Sequence, residues 1–414
     1  MISRRAFLRK TAAGALGPAA AGVLASTAGV LQAADAPRKK IGAISTAYHM
    51  RSHSDDIITR VLEGYWINDT YHPSPADVVS LYTDQVPLND ISRRLSAAYN
   101  VKIYPTIADA LTLGTGRLAV DAVLQVAEHG NYPDNEKMQK LYPRYEFFEQ
   151  VVQVFEKSGR AVPVYTDKHL SYDWNKAKWM YDQSVRLKFP LMAGSSCSVT
   201  FRRPELDFPL DSPFEEALAV GSGWVEDGGI FHNLEVLQCF VERRKGGETG
   251  VRAVHHLEGD AVWKAAAQGL WPRHLVDAAL SRGLKVGQGR PEDVRNAVLC
   301  LIEYRDGFKG GALMLPGLVS EYLFAAQVGG KTYSTLCYIP VENSNNFSPL
   351  TDAIAHMFLT GKRLYPVERT LLTTGALSFL MESRYEGHKR LETPQLKVAY
   401  RAPAHSYYAH GKGS

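Results

Sequence analysis

Two hydrophobic rhythms divide the chain from Lys39 onward. In the first stretch, short apolar runs alternate with longer segments whose apolar residues recur every three or four positions. "KKIGAIST", "ADVVSLYTD", "VKIYP", "VDAVLQVAEHG", "AVPVYTD" and "FPLMAGSS" read as strands. Between them, "SDDIITRVLEGYW", "LNDISRRLSAAYN", "TIADALTLG", "RYEFFEQVVQVFEKSG" and "NKAKWMYDQSVRLK" read as helices, and "YHPSP" as a turn. Regular alternation of this kind predicts crossover connections and a parallel sheet covered on both faces. The spacing assigns residues 37–196 to such a doubly wound α/β domain.

After Cys197 the rhythm changes. "TFRRPELDFPL", "EEALAVGSGW", "GVRAVHHLEG", "NAVLCLIEYRDG", "GGALMLPG" and "YLFAAQVGGKTYSTLCYI" follow one another as strands and turns with few helices between them. This predicts a second α+β domain, residues 197–414, built on a largely antiparallel sheet. The segments "FHNLEVLQCFVERR", "RHLVDAALSRG", "SPLTDAIAHMFLTG" and "VERTLLTTGALSFLMESRYEG" are expected to pack on it as helices.

The first 36 residues follow neither rhythm. Arg4 and Arg5 precede Ala-Phe-Leu, then an alanine- and glycine-rich run, then small residues suited to cleavage near Ala33, the pattern of a twin-arginine export signal. Residues 1–36 are therefore read as signal and linker, and the protein as periplasmic or otherwise exported by that route. Removing residues 1–33 takes away Arg4, Arg5, Arg9 and Lys10 and balances 43 basic against 43 acidic residues, so the formal charge of +4 belongs to the signal. No nucleic-acid partner is expected on that balance. Nothing after the signal is apolar enough over enough residues to span a bilayer. The four cysteines are far apart and lack C-x-x-C spacing, which argues against a zinc site; one or two disulfides stay open, while apolar neighbours favour buried thiols.

In an open parallel sheet, ligands bind beyond the carboxyl ends of the strands. The residues expected there are Ser45, Thr46, Tyr48 and His49; Asp84 and Gln85; Glu128, His129, Gly130 and Asn131; and Thr166, Asp167, Lys168 and His169. The concentration of polar groups at these strand ends marks them as the candidate site.

With these pieces in place, the layout resembles the Gfo/Idh/MocA oxidoreductases, the family of glucose-fructose oxidoreductase and inositol dehydrogenase. The resemblance rests on the Rossmann-like half, on Asp167-Lys168-His169 in place of an E-K-P-like tripeptide opening a helix, on the following "LMAG" strand, and on the antiparallel second half. It implies an NAD(P)-dependent oxidoreductase of a sugar or polyol, with Lys168 relaying the hydroxyl proton during hydride transfer. It also implies substrate contacts from the helix carrying His232 and Glu235, and a loop at Glu128 and His129 bordering the nicotinamide. A homo-oligomer through the second sheet is a further expectation of the resemblance.

The cofactor loop departs from the family's G-x-G-x-x-G: read from Gly42, the run is Gly42, Ala43, Ile44, Ser45, Thr46, Ala47. The Ser45 and Thr46 hydroxyls, with helix N-terminal amides, would then hold the diphosphate. Asp84 is expected to bind the ribose and to favour NAD over NADP, with the "INDTYHPSP" insertion accounting for its long separation from Gly42. Three alternatives stay open: an NAD-dependent glycosidase-type activity, a non-catalytic carbohydrate-binding or assembly protein that lost the cofactor, and a metal-dependent hydrolase centred on His49, His53 and Asp56.

Overall fold

The computed structural model describes residues 38–221, 226–340 and 345–411. The export-signal reading of residues 1–36 lies outside them.

The first strand, β1 (Lys40–Ala47), is buried from Ile41 to Ala47. Its side chains alternate between two cores: Ile41 and Ala43 join α1 (His53–Glu63) through Ile57, Ile58 and Val61, while Ile44 faces the opposite cluster with Phe148 and Val151 of α4 (Arg144–Ser158). Period-two burial on both faces is what an apolar run in a covered parallel sheet requires. A hairpin, β2 (Tyr65–Ile67) and β3 (Thr70–His72), follows α1 and turns the "INDTYHPSP" insertion into antiparallel structure. The sequence reading gave only a turn there.

The parallel sheet continues with β4 (Asp77–Gln85), α2 (Ser92–Tyr99), β5 (Lys102–Ile103), α3 (Ile107–Thr112), β6 (Ala122–Val126), α4, β7 (Val164–Asp167), α5 (Trp174–Arg186) and β8 (Leu191–Gly194). Its strand order is β5-β4-β1-β6-β7-β8, with parallel pairing throughout. The order reverses around β1, and open parallel sheets bind ligands beyond the carboxyl ends of the strands near such a reversal.

The second sheet has the order β16-β11-β12-β13-β10-β14-β15-β9. Its strands are β9 (Phe201–Arg203), β10 (Phe214–Gly221), β11 (Val251–Glu258), β12 (Val298–Tyr304), β13 (Lys309–Met314), β14 (Tyr322–Val328), β15 (Lys331–Tyr338) and β16 (Leu391–Glu392). The pairing is antiparallel except between β10 and β13, so the sheet is mixed and mostly antiparallel. One face packs on α6 (Asp227–Val241) and α10 (Val367–Tyr385). The other is covered by α7 (Asp260–Ala267) and α8 (His274–Leu280), whose Val262, Ala265, Leu275 and Val276 bury Leu218, Val220, Leu299 and Leu323. The chain thus covers both faces of this sheet itself. Near the C-terminus, α9 (Phe347–Thr360) returns to pack on α1, and α10 packs on α5 and β8. No helix among the described residues is long and apolar enough to cross a membrane.

The structure corrects the placement of the cofactor loop. Gly42 is the third residue of β1, ~16 Å before the strand's end at 3.3 Å per residue. A Cβ there would lie 2.8 Å from Leu111 Cδ2 and 3.4 Å from both Ser80 Oγ and Val120 Cγ1. Gly42 serves packing between β1 and α3. Gly42→Ala should lower stability by about 1–3 kcal/mol through overpacking, seen as a lower urea midpoint with unchanged slope.

Candidate functional site

The site is organised by one buried carboxylate. Glu128 follows β6; its Oε1 takes the Lys168 ammonium at 2.7 Å and its Oε2 takes the Arg144 guanidinium. All three side chains are nearly inaccessible. Burial alone would raise the Glu128 pKa, but Lys168 and Arg144 reverse it and hold the carboxyl well below its ordinary range. Arg144 is the first residue of α4, where the helix dipole disfavours a cation; Glu128 supplies the compensation.

Local backbone geometry brings neighbouring residues to this point. His129 and Lys168 both adopt left-handed φ, 70° and 57°, a conformation that costs about 1–2 kcal/mol for a side-chain-bearing residue. The Lys168 carbonyl accepts from Gly194 N at 3.2 Å, and Thr46 Oγ1 donates to the Glu128 carbonyl at 2.7 Å. The alternation expected of a strand therefore ends at Asp167. Asp167, Lys168 and His169 reach into the same cluster: Asp167 meets His53 Nδ1 at 2.6 Å, Lys168 meets Glu128, and His169 Nε2 lies 3.2 Å from Arg144 Nη1.

The N-terminal end of α6 closes the site. Asp227 stands in its first turn, and burial pushes its carboxyl up to about 6 despite the Arg144 charge. A Cβ on Gly228 would lie 3.3 Å from Lys168 Nζ, so this glycine lets the helix approach the ammonium closely. One turn on, His232 Nδ1 is 2.6 Å from Ser195 Oγ. Burial first, then neighbouring cations, push His169 and His232 well below their ordinary values, so both are neutral hydrogen-bonding groups.

The sequence-level candidates divide accordingly. Lys168, Glu128, His129 and His232 gather at the site. Glu235 is fully buried beyond it, accepting from Thr373 Oγ1 at 2.7 Å and from Ser195 N and Ser198 Oγ at 3.5 Å; it braces α6 against α10 and the turn after β8. The Ser45 hydroxyl meets Ser54 Oγ at 2.6 Å and that of Thr46 donates to the Glu128 carbonyl, and both residues are fully buried. Asp84 sits near the end of β4 with an exposed carboxylate that accepts from Tyr82 at 2.9 Å and Tyr132 at 2.5 Å. In the metal reading, His53 turns to Asp167 and Asp56 pairs with Arg60 at 3.3 Å; among the described residues no group of three His, Cys, Asp or Glu is placed to hold an ion. All four cysteines are buried free thiols.

No protein-family model and no curated protein matches the sequence. Among solved structures, the chain is similar to a putative myo-inositol dehydrogenase from Sinorhizobium meliloti 1021 (TM-score 0.53, 11% identity, 86% of this chain and 99% of that one). It is likewise similar to myo-inositol 2-dehydrogenase from Lactobacillus plantarum (0.52, 10%, 86% and 99%). GenD2 from gentamicin A biosynthesis, solved in complex with NAD, aligns at 0.51 and 12% identity over 86% of this chain and 97% of that one. The chain has this dehydrogenase fold.

Within the dehydrogenase fold, the β1–α1 junction is where a glycine turn would lie, and it is occupied by Ser45-Thr46-Ala47-Tyr48-His49-Met50. Tyr48 is buried, and its carbonyl accepts from Ile91 N at 2.9 Å. Ser52 caps α1 by accepting from Asp55 N, and the Asp55 carboxylate takes the Arg51 amide at 2.9 Å. The chain's own carboxylate therefore sits on an amide of this turn.

Sequence pattern alone does not reach Arg144 or Asp227. The signal for Arg144 was a cation at the start of a predicted helix, against the dipole. Asp227 had none beyond proximity to His232.

Burial, with the Lys168 ammonium as a lesser cause, pushes the His129 imidazole down to about 4, from an ordinary value near 6.5. The unfolded chain binds this proton as pH falls through 6.5, and the folded chain only near 4, so acidification across that window removes stability. Urea midpoints should fall more steeply between pH 7 and pH 4.5 in the wild type than in His129→Gln.

Proposed function

We propose that this chain is an exported oxidoreductase-like protein that acts on a sugar or polyol with a nicotinamide dinucleotide. The observation that carries this reading is the convergence of Lys168, Glu128, Asp227 and His232 where the carboxyl ends of β6 and β7 meet the start of α6. A dehydrogenase fold places its ligand crevice there. The site offers one ammonium, one carboxyl poised near 6 and one neutral imidazole, a donor and acceptor set suited to an uncharged polyhydroxylated ligand.

The residues fit such a cofactor at its two ends. The exposed Asp84 carboxylate suits a ribose diol, which supports NAD over NADP, and Lys168 with His129 would flank the nicotinamide. When bound, the cofactor supplies a hydride acceptor. Lys168 Nζ already donates to Glu128, so its part is to hold charge: the ammonium donates to the reacting hydroxyl oxygen and stabilises it as the proton leaves. Asp227 and His232 orient the neighbouring hydroxyls.

The self-closed turn at Arg51–Asp55 favours a second reading, a carbohydrate-binding protein without cofactor. Calorimetry with NAD, on protein recovered folded from the cytoplasm, separates the two. Binding, followed by polyol-dependent NADH absorbance, is expected; absence of both would leave the second reading. Lys168→Met should lower kcat/KM by about 10²-fold or more.

Asp55 places negative charge where a diphosphate would approach the α1 N-terminus. Asp55→Asn should tighten NAD binding about two- to fivefold at low salt, an effect that fades as ionic strength rises. Calorimetry of the two proteins across a salt series checks it.

A further inference from the structure

The start of α1 and the end of β7 hold a carboxylate–imidazole pair that the dehydrogenase reading does not use. His53 is the first residue of α1 and Asp167 the last of β7, 114 residues apart, and His53 Nδ1 lies 2.6 Å from Asp167 Oδ2. Asp167 is buried at 1% exposure, and Tyr165 OH approaches its other oxygen at 3.5 Å. The imidazole is boxed by edge-on rings, His129 at 5.2 Å and Phe347 of α9 at 4.9 Å, which fix its plane. Its Nε2 has no hydrogen-bond partner among the described residues, and the side chain keeps 15% exposure.

We propose that His53, held by Asp167, is the acid–base residue of this crevice and takes the hydroxyl proton of a polyhydroxylated ligand at Nε2. The proposal rests on the oxidoreductase reading and names the proton acceptor within it. Asp167 accepts from Nδ1–H, which fixes the tautomer and leaves the Nε2 lone pair bare. Lys168 is the weaker candidate for acceptor, since its ammonium is already committed to a carboxylate whose second oxygen holds Arg144. In the step, the ligand O–H bond breaks and an Nε2–H bond forms. The imidazolium is balanced by the Asp167 carboxylate, and the alkoxide by the Lys168 ammonium. Asp167 is a positioning residue and His53 the catalytic one.

Several charged or titratable groups face this imidazole. Asp167 comes from β7, Glu128 and His129 from the end of β6, Lys168 from the turn after β7, and His232 from α6; Asp56 and Arg60 lie on its own helix.

The test uses the full chain with myo-inositol and NAD as probes. Nitrogen-15 spectra of histidine-labelled protein, with His53 assigned by its loss in His53→Gln, should show Nδ1 protonated and Nε2 bare at neutral pH. A protonated Nε2 would overturn the proposal. In turnover, His53→Ala and Asp167→Asn should lower kcat by about 10²–10⁴-fold with KM changed less than threefold. Added imidazole should restore part of the His53→Ala rate and none of the Asp167→Asn rate. Unchanged kcat in His53→Ala, or loss of rate that imidazole does not rescue in a variant with wild-type melting, would also overturn it. A wild type that binds neither probe counts against the oxidoreductase reading instead, and the tautomer spectrum then decides the pair alone.

Discussion

The two oxygens of the Glu128 carboxylate bind two cations in a volume that water hardly reaches, and the geometry around the crevice depends on that arrangement. The carboxylate links the end of β6, the turn after β7 and the first turn of α4. An ion buried in this way is costly unless it is fully paired, and removing one partner of such a pair typically costs about 3–5 kcal/mol. Two cations against one carboxylate leave positive charge in the cluster. Burial, with that excess added to it, keeps His169 and His232 neutral, while burial raises the Asp227 carboxyl.

Much of the fold was legible because its signals are periodic. The runs around Ile41, Val123 and Val164 are apolar on both faces, as strands of a covered parallel sheet must be, and α1, α4 and α5 carry their apolar stripe at helical spacing. The hairpin at Tyr65–His72 and the helix at Asp260–Ala267 were missed, the first because its three-residue strands are too short for alternation to show. The site was legible in part. Lys168, Glu128 and His129 stand at strand ends, a position that pattern alone identifies. Their partners Arg144 and Asp227 sit on helices, and what recruits them is contact across the fold, which no local pattern encodes.

The glycine question was answered by register. Reading the motif from Gly42 treated the first glycine as the start of a turn, whereas the strand runs five residues further. A glycine within a buried strand signals close approach of a neighbour as readily as it signals a turn, and here the neighbour is Leu111. The true junction has no glycine, and its amides are engaged by Ser52 and Asp55. Ser45 and Thr46, which looked like phosphate ligands by their chemistry, instead tie β1 to α1 and to the end of β6.

Sharing a backbone with dehydrogenases does not carry over their chemistry, because a fold fixes where side chains can meet and leaves open which ones do. In this chain the place of a glycine turn holds an acidic helix start, and the first residue of that helix reaches across to a carboxylate on β7. One substitution pattern therefore acts twice at the β1–α1 junction. It weakens the generic anion site at the helix N-terminus by placing Asp55 there, and it brings an imidazole with a free nitrogen into the crevice. A chain that had merely lost cofactor binding would need only the first change. The second is held by a hydrogen bond of 2.6 Å between groups 114 residues apart, which orders the imidazole against the end of β7.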